Sequence, residues 1–427
     1  MKRLLLTSLI PLVVSSDSRH LLGLRGGGPN DPTTGEVHAS TTSELSVANI
    51  TLPLHAAKGS HHVIIYAGSP PQRQTVIVDS GSRLLAFPCK PCKRCGVHVN
   101  PYFDPKRSTT LRYSKCGSCL LEGSSTCALF GNRCTLAQRY TEGSQWSGDE
   151  VEDVVWFGTN DLVKSVEEHM QNAVFHPFGC QSTSKGLFRE QYADGILGLA
   201  LDDNSLVKGY HRAGVIPRNA FSLCMTPEGG TLSLGGTMPK EHLQEPMKVT
   251  RINRDHGLYA VEVIGIEVGN ITLADSKKDK TMYRVNDGNG CLFDTGSTDT
   301  HLPYALKDDW ERAVSAWTNG FTDFGTTDRE KKYTFEEFQK LPKITFRFAN
   351  NASLSMQPQY YMEGCRVDPT TGQAKKWNGK KTLSNRIYLG DSYGAVLGAN
   401  AMYGYNILFD GQDYQIGLAK ANCSAII

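Results

Sequence analysis

Val76-Ile77-Val78-Asp79-Ser80-Gly81-Ser82 and Cys291-Leu292-Phe293-Asp294-Thr295-Gly296-Ser297 are two copies of one pattern: apolar residues, an acid, a small hydroxyl residue, glycine and serine. Each copy is followed later by two apolar residues and a glycine, in Gly195-Ile196-Leu197-Gly198-Leu199 and in Ala395-Val396-Leu397-Gly398. A single Asp-Ser/Thr-Gly triplet is an ordinary turn. The same series twice in one chain, each over roughly a hundred residues, points to two similar lobes.

Around these copies, short β-branched and apolar runs alternate with turn residues. His62–Tyr66, Gln74–Val78, Val151–Phe157, Thr231–Leu234, Tyr259–Val268, Ile344–Phe348, Ile407–Phe409 and Tyr414–Leu418 predict strands, and the class is all-β. Helical periodicity is clear only over Tyr304–Trp317 and Phe335–Gln339. The expected division is a leader over 1–16, a propeptide or flexible arm over 17–51, an N-terminal lobe over 52–235 and a C-terminal lobe over 236–427. The leader rests on Lys2 and Arg3 followed by an apolar run from Leu4 to Val14, with small residues placing a cut before Asp17. The arm is rich in Gly, Pro, Ser and Thr and cannot bury much surface.

The 427 residues are 21% charged and 39% hydrophobic with a formal net charge of +2, an ordinary globular composition. Basic runs such as Lys277–Lys280 and Arg329–Lys332 sit in polar surroundings and read as solvated loops, so no nucleic-acid partner is expected. Twelve cysteines, nine of them between Cys89 and Cys224, fit an oxidising, secretory compartment, as do acceptor sequons at Asn49, Asn270, Asn351 and Asn422. Cys89-x-x-Cys92-x-x-Cys95 with Cys116-x-x-Cys119 has a spacing that zinc accepts. An oxidising compartment favours disulfides instead, with the Cys89–Cys134 cluster bridged largely within itself and no metal or cofactor. No later run reaches membrane-spanning length, so no stable membrane anchor is expected, and a secreted or lumenal monomer is.

The paired acids suit hydrolysis without a metal or a nucleophilic side chain. Two carboxyl groups within hydrogen-bonding reach share one proton; the ionised one takes a proton from water while the protonated one polarises a carbonyl. Each Asp ends an apolar strand, and the hydroxyl residue and glycine after it (Ser80 and Gly81, Thr295 and Gly296) allow a tight turn beside the acid. Ser82 and Ser297 stand where a hydroxyl can donate to each carboxylate.

In these residues the sequence resembles the pepsin-like aspartic proteases, over roughly Leu52 to Cys423. The resemblance implies a bilobal fold with the cleft between lobes, Asp79 and Asp294 as the catalytic pair, Gly198 and Gly398 on strands threading their loops, and a protein or peptide substrate. It also implies a hairpin flap, matched by Tyr140-Thr141-Glu142-Gly143-Ser144 before the strand Val151–Phe157. One departure is visible. Pepsin has a Trp after its first motif that bonds the flap Tyr, and this chain has Ala86 there, leaving Trp146 or the Cys-rich segment to support the flap. The run Phe87 to His98 and the flap look similar to the plasmepsin V-like group with a Cys-rich insertion. That likeness implies Glu142 and Gln191 as holders of a substrate Arg and a preference for Arg-x-Leu motifs, while Glu142 reads equally as a solvated hairpin charge. Some pepsin-like folds bind without cleaving, but they usually lack an Asp or its Gly, and both loops here are intact.

Overall fold

The computed structural model describes residues 50–121, 123–128, 131–159, 170–253, 257–275, 281–288, 290–321, 330–391 and 394–424. The leader over 1–16, nearly all of the arm over 17–51 and the Asn49 sequon lie outside the described residues.

The fold is all-β, of the bilobal pepsin-like kind. Its largest sheet runs from Lys248–Arg251 through Gln415–Lys420, Tyr405–Asp410, Ala220–Thr226, Gly229–Leu234, Ile50–Ala57, Ser60–Ala67, Gln72–Asp79, Gly195–Gly198, Leu85–Pro88, Val174–Lys185 and Gln145–Gly158 to Cys134–Arg139 and Ser125–Cys127. Strands from both ends of the chain thus share one sheet, with Ala220–Thr226 pairing antiparallel to Tyr405–Asp410. The second half adds a five-stranded sheet ordered Ala260–Val261, Cys291–Phe293, Ala395–Leu397, Thr300–Pro303, Ile387–Asp391.

The sequence repeat is also a repeat of pairing. Gly195–Gly198 lies parallel to Val76–Asp79, residue for residue, and Ala395–Leu397 lies parallel to Cys291–Phe293. Both faces of these strands are covered, which is why they read as continuous apolar runs rather than alternations. Both helical expectations hold. Tyr304–Leu306 is a 3-10 turn leading into the helix Lys307–Trp317, which buries Trp310, Ala313 and Val314 on one stripe. Phe335–Gln339 opens with a capping box between Thr334 and Glu337. The expected single strand Tyr259–Val268 is instead broken into Ala260–Val261 and Val263–Val268, which join different sheets.

Ten of the twelve cysteines are bridged: Cys89–Cys180, Cys92–Cys95, Cys116–Cys127, Cys119–Cys134 and Cys224–Cys423. Every sulfur of the proposed zinc spacing is taken up in these bridges. Three of the five lie inside the insertion and Cys89 ties it to the strand Val174–Lys185, so a polar segment is pinned where it has little core of its own. Cys291 and Cys365 remain thiols. Among the described residues no helix is long and apolar enough to cross a membrane.

Two histidines are buried as neutral rings. Burial, then the neighbouring His55, His61 and Arg73, lowers His62 to about 4; burial lowers His176 to about 4. The unfolded chain therefore binds more protons between about pH 6.5 and 4, and stability that is complete above that window falls through it by on the order of 3 kcal/mol per ring. Thermal melting at stepped pH checks this. Wild type should lose stability from pH 6.5 to 4 more steeply than His176→Gln, which is neutral throughout. Equal slopes would show that His176 is not held neutral.

Candidate active site

Asp79 and Asp294 close the two parallel-paired strands, and both are buried. The backbone N–H of Gly81 donates to Asp79 Oδ1 at 2.9 Å, and that of Gly296 donates to Asp294 Oδ1 at 3.0 Å. Gly296 meets the other acid as well. A Cβ on it would lie 2.3 Å from Asp79 Oδ1, so the missing side chain is what lets the first carboxylate approach the second loop. Gly198 and Gly398 serve each loop alike: a Cβ there would come within 2.3 Å of Leu84 N or 2.2 Å of Asp299 O.

The hydroxyl residues next to the acids hold the loops to one another. Ser80 N donates to Thr295 Oγ1 and Thr295 N donates to Ser80 Oγ, both at 3.0 Å. Each hydroxyl then donates across to the opposite strand, Ser80 Oγ to Phe293 O at 2.8 Å and Thr295 Oγ1 to Val78 O at 2.9 Å. From sequence these residues promised only a tight turn; their cross-lobe exchange was visible solely as the symmetry of the two motifs. The serines differ. Ser297 Oγ donates to Asp294 Oδ2 at 2.7 Å, as expected. Ser82 does not repeat this: its Oγ is buried and makes no hydrogen bond to Asp79.

The flap turns over Tyr140-Thr141-Glu142-Gly143-Ser144, between the strands Cys134–Arg139 and Gln145–Gly158, with Gly143 at φ +93°. Burial above all, and then the charge of Asp79, pushes the Tyr140 phenol upward. Trp146 Nε1 donates to Tyr140 Oη at 3.3 Å. The indole is 2% exposed and packs in one cluster with Ala86, so the alanine that departs from the pepsin pattern is the space the flap tryptophan fills. Phe188 stands 5.0 Å from the Tyr140 ring, and Leu187 N donates to Ser144 Oγ at 2.8 Å.

Glu142 is half-buried, and neither of its shielded oxygens has a hydrogen-bond partner of good geometry. Burial raises its pKa, the Ser144 hydroxyl and nearby backbone N–H groups oppose that, and Asp79 adds to it. Gln191 is buried, and its amide donates to Ala193 O at 3.0 Å and Gly195 O at 3.4 Å. Its donors are thus spent on its own loop, though its Oε1 has no partner. Beyond Thr298, a crevice of about 680 Å³ continues along the second loop, lined by Lys58, Glu228, Asp299, Tyr360, Glu363 and Tyr403 among others.

Comparison with known proteins finds similar chains. Residues 62–236 match the family model described as "Xylanase inhibitor N-terminal". The chain is 26% identical to Aspartic protease 5 of Toxoplasma gondii over 384 residues, 84% of this chain and 36% of that one. It is 31% identical to Plasmepsin V of Plasmodium falciparum (isolate 3D7) over 198 residues, 44% of this chain and 31% of that one. To Aspartic proteinase-like protein 1 of Arabidopsis thaliana it is 24% identical over 388 residues, 85% and 67% of the two chains. The chain thus spans about a third of the Toxoplasma and Plasmodium relatives. The fold is of the pepsin-like kind, and several of the proteins the chain is similar to are named as aspartic proteases.

The Trp146–Tyr140 bond is open to a double-mutant cycle on stability. Trp146→Phe and Tyr140→Phe each remove one partner and keep a ring, so the double variant should be less destabilised than the sum of the singles, by about 0.5–1.5 kcal/mol. Urea denaturation of the four proteins measures it. Strict additivity would mean that the two rings only stand near one another.

Proposed function

We infer that the chain is an aspartic-type endopeptidase, hydrolysing peptide bonds with water activated between Asp79 and Asp294. The observation that carries this reading is Gly296, whose N–H binds one carboxylate while its bare Cα faces the other. Two acids converging on one glycine cannot both ionise without mutual repulsion, so they share a proton. The pair then supplies a base for water and an acid for the scissile carbonyl. Ser80, Thr295, Gly81, Gly296 and Ser297 hold the acids, and Tyr140 and Gly143 cover them. The substrate is an extended segment of a secretory-pathway or extracellular protein, the compartment that five disulfides favour. The matched model's description favours a second reading, a protein that binds without cleaving; the intact pair of acids weighs against it.

Replacement tests the pair directly. Asp79→Ala and Asp294→Ala should each reduce peptide cleavage to background with unchanged melting profiles, because one carboxyl cannot be base and acid in the same step. Near-wild-type turnover in either variant would sink the assignment. Cleavage absent from the wild type too, with tight binding of a protein ligand, would favour the binding reading.

A finer proposal concerns specificity. Glu142 offers two shielded carboxylate oxygens without a hydrogen-bond partner of good geometry, and a substrate guanidinium upstream of the cut would satisfy both. The product is an Arg-x-Leu-type preference, with Leu just before the scissile bond. Gln191 joins only by turning its amide away from Ala193 and Gly195, and it enters as the weaker partner. Peptides differing only in Arg, Lys or Ala at that position decide the matter. Arg should be favoured about ten- to a hundredfold over Ala, and Glu142→Gln should erase most of the difference. Equal cleavage of all three by the wild type would leave a general endopeptidase.

A further inference from the structure

The insertion contains a bridge unlike the other four. Cys92 and Cys95 are three residues apart, so their bridge closes the shortest loop in the protein and constrains the unfolded chain least. Cys89–Cys180 and Cys224–Cys423 are buried at both ends. Cys92 is half-exposed between Pro91 and the exposed Lys93 and Arg94, whereas Cys95 is 1% exposed and its Sγ accepts from Ser184 Oγ at 3.4 Å. Cys116–Cys127 is at least as open to solvent, so exposure alone does not single out Cys92. The surroundings of the short loop do.

Those surroundings lead to the flap in a few contacts. Arg189 Nε donates to Arg94 O at 2.9 Å and to Ser184 O at 2.6 Å, joining the short loop to the strand beneath it. His98 faces Cys95 O at 2.6 Å and Gln191 O at 3.3 Å with its two ring nitrogens. Gly96, at φ +91°, lies so close that a Cβ would meet Arg189 O at 2.4 Å. Arg189 ends the 3-10 turn Gly186–Arg189, and the same turn carries Leu187 onto Ser144 and Phe188 onto Tyr140. The bridge, the turn and the flap form one packed series.

We propose that Cys92–Cys95 is a thiol–disulfide exchange site whose reduction by a dithiol loosens the flap. An incoming thiolate attacks the more exposed Cys92 Sγ. The Sγ–Sγ bond breaks and Cys95 leaves as a thiolate, which meets the Ser184 hydroxyl and takes a proton. The reagent's second thiol then displaces Cys92, and the reagent departs as its own disulfide. Two electrons and two protons pass to the pair. Lys93 and Arg94 favour the approaching and departing negative charge. Without the bridge, Arg94 and Gly96 no longer hold the Gly186–Arg189 turn, and Tyr140 and Ser144 lose their backing.

The site stands apart from the proposed hydrolysis; only its effect on turnover rests on that reading. The full chain is titrated with dithiothreitol, free thiols are trapped by alkylation and assigned by mass spectrometry, and hydrogen exchange of residues 140–147 is followed in parallel. Alkylation at Cys92 and Cys95 should coincide with flap amides exchanging on the order of tenfold faster and kcat/KM falling about five- to tenfold. Cys116→Ala with Cys127→Ala should respond like the wild type. Cys92→Ala with Cys95→Ala should begin in the loosened state and ignore the reductant; if that variant does not fold, the mapping on the native chain carries the test. Flap exchange unchanged with both sulfurs alkylated would overturn the proposal, as would a response that follows Cys89–Cys180 or Cys116–Cys127. Peptide cleavage absent at every stage would count against the endopeptidase reading alone, since flap exchange still decides this one.

Discussion

The site depends on the reciprocal hydrogen bonds between Ser80 and Thr295. Each backbone N–H meets the other residue's hydroxyl, and each hydroxyl donates a hydrogen bond to a carbonyl of the opposite strand. All of these groups are buried, where an unmade hydrogen bond costs about 1–3 kcal/mol. Either lobe alone would leave them unsatisfied. The exchange therefore sets the distance between the lobes at the acids themselves, and the rest of the cleft is built outward from a spacing already fixed.

Glycine completes that spacing. Gly198 and Gly398 bring strands to within bare backbone contact of each loop, and Gly296 gives the first carboxylate its seat against the second loop. Because these contacts are steric, they admit no gradual adjustment: a methyl group at any of the three would overlap backbone or carboxylate atoms. The paired acids are held by an absence of side chains as much as by hydrogen bonds.

Much of this was legible because strands buried on both faces, duplicated acids and apolar-Gly follow-ons leave strong marks in sequence. The all-β class and the two short helical stretches followed from periodicity. The break at Glu262 within Tyr259–Val268 was hidden, because an apolar run reads alike whether it serves one sheet or two. Local crowding of cysteines foretold bridges within the insertion, yet the partner of Cys89 lay 91 residues away, and spacing carries no such information. Trp146 was a candidate only through the alanine at position 86. The divergence of Ser82 from Ser297 left no mark at all, since identical residues stand at identical offsets in the two motifs. Gln191 shows a further limit: sequence placed it beside the right loop but could not show its amide committed to Ala193 and Gly195.

The Trp146–Tyr140 bond joins two residues of one hairpin, whose strands pair Gln138 with Trp146. A bond internal to a hairpin preserves its shape and fastens it to nothing else. The indole that makes it is seated on Ala86, so lifting the flap tip either parts the bond or draws the indole from the core. A second hold lies along one edge, in the N–H of Leu187 on Ser144 and the ring of Phe188 against Tyr140. A cover rooted at its base by one buried ring and held at its edge by another segment bends at the tip first, and the ease of that bending is set in part outside the cleft.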